Sequence, residues 1–339
     1  MINNKSNSLN LMSILEQALK KAVGLGYLKW GLIFGVANGM AVYSYYRENR
    51  NKYDLEAYQQ SVTRYVSYQS GKMAETYIPK WLRSPLFSMF GYIYNVNYDD
   101  MLEPLENYEN FQQFFTRKIK SREFDKNTNK LIVPADSKVL SFCEVKDDSP
   151  ILVKNVHYKL GYFLTGQETF EMTPQILEDV KKRQNTKLYS VIFYLAPGDY
   201  HRYHLPSDFQ LKSRSHIVGH LAPVKISYIS STPKVYETNE RVALFGTYNF
   251  GLMNIVLVGA TNVGSMTLNY DKEFQTNQKA EELFVYKHYD PIIQLKKGDE
   301  LGMFKLGSTV VMMFEAENVK WNIEEGQKCK WGDVFAEVS

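Results

Sequence analysis

Five short runs, 188–195, 242–247, 253–259, 264–270 and 309–315, are each rich in β-branched and aromatic residues. Such side chains lose rotamer freedom in a helix and pack well on a pleated surface, so the runs read as strands. Helical spacing is confined to the first 120 residues and to 173–183. Over 54–68 it brings Leu55, Tyr58, Val62, Tyr65 and Val66 onto one face. Helices in one block and strands in another predict an α+β class. Its expected form is an N-terminal transmembrane helix and a helical segment, followed by a largely antiparallel β-rich domain. The segment from Gly326 to Asp333 reads as a hairpin close.

The transmembrane expectation rests on Trp30–Tyr46, where no residue is charged. That stretch is at the short end of the ~17–25 residues that cross a bilayer core. Tyr27 and Trp30 at one end and Tyr43, Tyr45 and Tyr46 at the other resemble interfacial aromatic belts. Gly31, Gly35 and Gly39 would share one helical face, suited to close packing against a second copy or another helix. Lysines before the stretch balance the basic residues after it, so sidedness is not legible. Residues 1–23 are amphipathic with one acid, Glu16, and no arginine, a weak targeting signal. The expected organisation is a targeting and anchor region over 1–52 (span about 28–46), a helical membrane-proximal segment over 53–127 and a β-rich core over 128–339.

Composition narrows the function classes. With 44% hydrophobic and 23% charged residues the chain can bury a core, and a net charge of +3 is too mild to point to nucleic acid. Cys143 and Cys329 lie far apart, outside any metal or disulfide pattern.

Chemistry-bearing residues gather in three strings. Lys296-Lys297-Gly298-Asp299-Glu300 leads through Leu301–Lys305 to Leu306-Gly307-Ser308-Thr309, ahead of the apolar run 310–314. A Gly-Ser pair is most often a tight turn, and Gly264-Ser265 is another such pair in this chain. Pro197-Gly198-Asp199-Tyr200-His201-Arg202-Tyr203-His204 follows an expected strand, which puts two of the six histidines on a loop at a strand end. Their i,i+3 spacing suits two metal ligands, but no third ligand follows, so no metal is expected. Pro134-Ala135-Asp136 reads by itself as a turn.

Taken in order, these strings resemble the phosphatidylserine decarboxylase family, and its mitochondrial branch in particular. Residues 78–85, 111–120, 152–164, 239–245 and 258–265 extend the likeness, which covers roughly 78–339. The resemblance implies self-cleavage between Gly307 and Ser308, with Ser308 converted to a pyruvoyl cofactor. The hydroxyl would attack the preceding carbonyl. Elimination of the resulting ester and hydrolysis would leave a pyruvoyl carbonyl, an electron sink for decarboxylation. It implies further that His204 is the base, that Asp136 orients it as in a serine–histidine–aspartate triad, and that His201 lies near the substrate amine. The expected activity is conversion of the membrane phospholipid phosphatidylserine to phosphatidylethanolamine, in a single-pass protein of the mitochondrial inner membrane. One departure is Ser137, where the family has glycine; serine tolerates a positive φ poorly, so an altered turn at Asp136 is expected. A second class is an uncleaved, inactive structural or assembly subunit of a membrane complex. Ser137 and the glycine face favour it, whereas joint retention of Asp136, His201, His204, Gly307 and Ser308 favours an enzyme.

Overall fold

The main sheet has eight strands, each antiparallel to its neighbours. In spatial order they are Phe284–Leu295, Phe209–Ile217, Arg241–Tyr248, Gly251–Val258, Ser308–Ala316, Lys187–Leu195, Ser137–Val145 and Lys328–Cys329. This computed structural model describes residues 62–339, apart from 146–150, 154–155, 159, 166–182, 184, 225, 230–234, 262–264, 279–280 and 306.

Four of the five apolar runs become strands of this sheet and the fifth, shortened to Met266–Leu268, joins a smaller one. Every residue of Ser308–Ala316 is buried, which is why that segment reads as a continuous apolar run and not as an alternation. Its flanks are Leu195 opposite Ser308 and Val258 opposite Thr309. Phe193, Val310, Met312, Phe314 and Phe335 belong to the principal core.

Arg202–His204 lies in a second, four-stranded sheet, paired with Glu300–Phe304. A three-stranded sheet joins Lys130–Ile132, Val334–Val338 and Val319–Trp321. The turns at Gly326 and Gly332, both at positive φ where a side chain would be strained, carry the chain into and out of Lys328–Cys329. That short strand pairs with Ser137–Val145 while Val334–Val338 joins the three-stranded sheet, so Gly326 to Asp333 links two sheets.

The α+β expectation is corrected. Among the described residues strand amounts to 43% and helix to 19%, so the architecture is β-rich with few helices. The helices over 62–115 are Val62–Ala74, Lys80–Tyr94 and the single turn Phe111–Phe115, and they carry only a minor core around Phe87, Tyr108 and Phe114. The described part of the 54–68 spacing, with Val62, Tyr65 and Val66, falls in a real helix, but helices make up a smaller share of the described fold than an α+β class implies. Among the described residues no helix is long and apolar enough to cross a membrane. The expected span at 28–46, its glycine face and the helix at 173–183 lie outside the described residues, save for Arg183.

The helix Val62–Ala74 is pinned to the sheet by a buried ion pair. Arg64 donates to Glu240 Oε2 (2.8 Å) and to the Gly219 carbonyl (3.1 Å), while His216 Nε2 meets Glu240 Oε1 at 2.9 Å. Every oxygen of this buried carboxylate is held, as a buried charge requires.

Candidate active site

The site forms where the chain leaves one sheet for another. Lys187–Leu195 ends in the turn Ala196–Tyr200, in which Asp199 Oδ2 accepts from the Ala196 amide (2.7 Å) and the Asp199 amide donates to the Ala196 carbonyl (2.9 Å). Gly198 allows this turn to approach the end of the helix Lys80–Tyr94. A Cβ there would stand 2.0 Å from the Tyr94 carbonyl oxygen. The chain then enters the second sheet, where the Phe304 amide donates to the His201 carbonyl (2.9 Å). The segment 305–307 is thereby bracketed, with His201 held against Phe304 on one side and Leu195 opposite Ser308 on the other.

This bracketing brings His201 to the Gly307–Ser308 bond. A Cβ on Gly307 would stand 3.7 Å from His201 Nε2 and 3.8 Å from the Leu195 carbonyl, ordinary contact distances, so packing alone does not demand glycine there. His201 is fully buried, and its Nδ1–H donates to the Asp199 carbonyl at 2.8 Å. That bond selects the tautomer whose Nε2 carries a lone pair, and Nε2 has no hydrogen-bond partner. Burial lowers the pKa of this histidine to about 3, so the ring is neutral near pH 7. Phe115 lies against it at 4.0 Å between centroids. Ser308 is 1% exposed, and its hydroxyl is likewise buried without a partner.

His204 has a different environment. Its Nδ1–H donates to the Gly298 carbonyl (2.9 Å), and its Nε2 accepts from the Tyr200 hydroxyl (3.0 Å). The ring stacks on Trp331 at 4.0 Å with planes 8° apart. Burial lowers its pKa. Asp136 is clamped by the guanidinium of Arg122, which also pairs with Asp100, and accepts from the Trp331 amide at 2.8 Å. The structure thus brings His201, Gly307 and Ser308 together and links His204 to Asp136 only through Trp331, which touches both. No hydrogen bond joins Asp136 to His204, or either of them to Ser308.

Ser137 adopts an ordinary backbone and begins a strand, its hydroxyl donating to the Ala135 carbonyl at 2.9 Å. The turn at Asp136 therefore needs no glycine at that place. Sequence reasoning missed Asp199, whose carboxyl is pushed up to about 6 chiefly by burial and also by nearby Asp136. It also missed Tyr200, Arg122 and Trp331. Asp199 and Tyr200 lay in the histidine string itself, whereas Arg122 and Trp331 had no local signal. Among the described residues no group of three His, Cys, Asp or Glu side chains is gathered for a metal ion.

The family model for phosphatidylserine decarboxylase matches residues 111–337, which include every one of these groups except Asp100. The chain belongs to the phosphatidylserine decarboxylase family. A rat relative, named a mitochondrial phosphatidylserine decarboxylase proenzyme, is 31% identical over 304 residues, covering 84% of this chain and 75% of its own. A Helicobacter pylori phosphatidylserine decarboxylase proenzyme (strain Shi470) is 33% identical over 269 residues, covering 79% of this chain and 94% of its own. An Arabidopsis relative named mitochondrial is 32% identical over 302 residues, covering 78% and 66% respectively.

Proposed function

We propose that this decarboxylase cuts its own backbone between Gly307 and Ser308 and, with the pyruvoyl group made from Ser308, converts phosphatidylserine to phosphatidylethanolamine and carbon dioxide. One observation carries the reading. A buried serine hydroxyl without a partner and a buried imidazole nitrogen without a partner flank the same peptide bond. Orphaned polar atoms are costly in a closed interior, and their coincidence at a Gly-Ser bond fits a reaction centre.

In the cut, Ser308 Oγ adds to the Gly307 carbonyl carbon while its proton leaves to an imidazole. The C–N bond breaks, the nitrogen takes up that proton, and an ester replaces the amide. Loss of the Ser308 α-proton and of the Gly307 carboxylate then leaves dehydroalanine. Water converts this to the pyruvoyl group with release of ammonia. The pyruvoyl carbonyl supplies the electron sink that decarboxylation needs.

In our reading His201 takes the serine proton, its Nε2 closing on the hydroxyl as the attack begins. It is neutral, its tautomer is fixed, and Nε2 points its lone pair into the closed site. A basicity this low makes it a poor resting proton store, so transfer must accompany attack and end on the leaving nitrogen. The family pattern gives the base role to His204 with Asp136. In that reading the Tyr200 hydroxyl must first leave Nε2, and Asp136 acts through its field and through Trp331.

The names of the rat and Arabidopsis relatives support a mitochondrial location, and fractionation of the organelle into matrix and inner membrane tests it further. The deciding experiment is the intact mass of the purified protein under denaturing conditions. Two chains are expected, the smaller beginning at residue 308 with a pyruvoyl end. A single uncut chain would overturn the reading and favour an assembly subunit.

A further inference from the structure

Arg117 is 3% exposed, yet its Nε and Nη1 make no hydrogen bond. Only Nη2 is engaged, donating to the Gly198 carbonyl at 2.8 Å. The guanidinium lies over Phe114, its carbon 5.8 Å from the ring centroid. Its place beside the reaction centre is fixed from two directions. Gly198 sits in the turn that positions His201, and Phe115, two residues before Arg117, lies tilted against the His201 ring.

A buried guanidinium normally meets a carboxylate, because its charge is costly to desolvate alone. The neighbouring acids are not available for that role. Asp100 and Asp136 are both held by Arg122, and Asp199 uses Oδ2 to close its own turn and is only weakly acidic. Nε–H and the Nη1 hydrogens, which lie on different edges of the guanidinium, are therefore left over beside the site as single charge-assisted donors.

We propose that Arg117 is the headgroup-recognition residue of this enzyme, donating to a phosphodiester oxygen of the phospholipid from one of these unused N–H groups. This rests on the decarboxylase reading. The substrate headgroup carries two anionic groups, and the chemistry selects between them. The carboxylate loses its charge as carbon dioxide leaves, so a guanidinium on it would stabilise the ground state more than the transition state and slow the reaction. The phosphodiester keeps its charge throughout, so holding it lowers KM without opposing the chemical step.

The test compares wild type with Arg117→Gln and Arg117→Lys on two substrates: dihexanoyl phosphatidylserine, and an O-alkylserine ether that has the amine and carboxylate but no phosphate. Intact mass first shows whether each protein has split. Arg117→Gln is expected to raise KM for the phospholipid about tenfold or more, with kcat within about threefold and no matching change for the ether. Arg117→Lys, which keeps the charge but not the guanidinium's set of donors, should recover part of the loss. An equal change for both substrates, or none for either, overturns the proposal, because a merely structural arginine would affect them alike. A rise in KM accompanied by a rise in kcat, seen for both substrates, overturns it in favour of the carboxylate. Should neither variant split, wild type alone still decides, since equal KM for glycerophosphoserine and the ether would sink it. A wild-type chain that does not split at all would instead refute the decarboxylase reading.

Discussion

The two ends of the strand Ser308–Ala316 are equally buried and oppositely furnished. At its far end Glu315 is fully buried, and both carboxylate oxygens are held. Thr186 donates to Oε1 at 2.7 Å, while the Leu252 amide (3.0 Å) and Arg183 (3.1 Å) reach Oε2. At its near end Ser308 is just as deep, and its hydroxyl is held by nothing. The same strand thus contains a polar group that stabilises the fold and one that the fold leaves ready to react. Satisfaction of hydrogen bonding separates the two; burial does not.

Five measurements break or sharpen that contrast, from the largest expected effect down. Ser308→Ala should abolish splitting and decarboxylation together, seen as one uncut mass and no product. A variant that still splits would remove Ser308 from the chemistry. Next, His201→Gln should slow splitting about a hundredfold or more while leaving the folded fraction intact, followed by a gel time course after synthesis. If His201→Gln splits normally and His204→Gln does not, the base is His204 and the resting contact at Gly307 misleads.

Acid should come third. His201 and His220 have folded pKa values near 3, against an unfolded value near 6.5. Below pH 6.5 the unfolded chain binds more protons at these sites, so stability falls with pH down to about 3. Asp199 works the other way: its pKa is raised to about 6, so between about 4 and 6 the folded chain holds the extra proton and stability rises on acidification. Of these three groups, two histidines against one carboxyl leave a loss of about 1.4 kcal/mol per pH unit over that window, to which His204, also lowered by burial, adds; denaturant midpoints at fixed pH measure it. Asp199→Asn should steepen the loss.

Glu315→Gln is expected to lower stability by about 2 kcal/mol, through loss of the pair with Arg183 and of the acceptor for either Thr186 or Leu252, without changing the split fraction of the folded protein. A splitting defect in that variant would show that the two ends are coupled. The smallest effect belongs to Ser137→Gly. With no positive φ to relieve, the change should cost about 1 kcal/mol through lost backbone restriction, and splitting should not quicken.

Much of this was legible before the fold was known, for identifiable reasons. The strand positions followed from side-chain type, since residues such as Val310, Val311 and Phe314 have no place but a buried pleat. Gly307, Ser308, His201, His204 and Asp136 stood out because each sits in a short string of unusual composition. The share of helix is low because, among the described residues, four of the six α-helices, Phe111–Phe115, Leu160–Thr165, Ile226–Ile229 and Val235–Thr238, run to six residues or fewer. What no string could disclose is the assignment of partners. Asp136 is bonded to Arg122, fourteen positions before it, and to the Trp331 amide, 195 positions after it. His204 stacks on that same tryptophan. Arg117 stood inside a recognised segment, but only burial with its N–H groups left over distinguishes it from the other cations nearby.

The position of Ser308 at the head of a central strand has one more consequence. Residues 308–339 supply a strand hydrogen-bonded on both sides, a pair of strands in the three-stranded sheet, and the edge of the main sheet at Lys328–Cys329. Once the bond is cut, the smaller chain cannot slip away without dismantling three pieces of the fold. Cleavage therefore frees a chain end without freeing a fragment. A molecule cut there would be an interlocked heterodimer, and its two parts, once separated in denaturant, would have to find each other again by a bimolecular route that the precursor never faced.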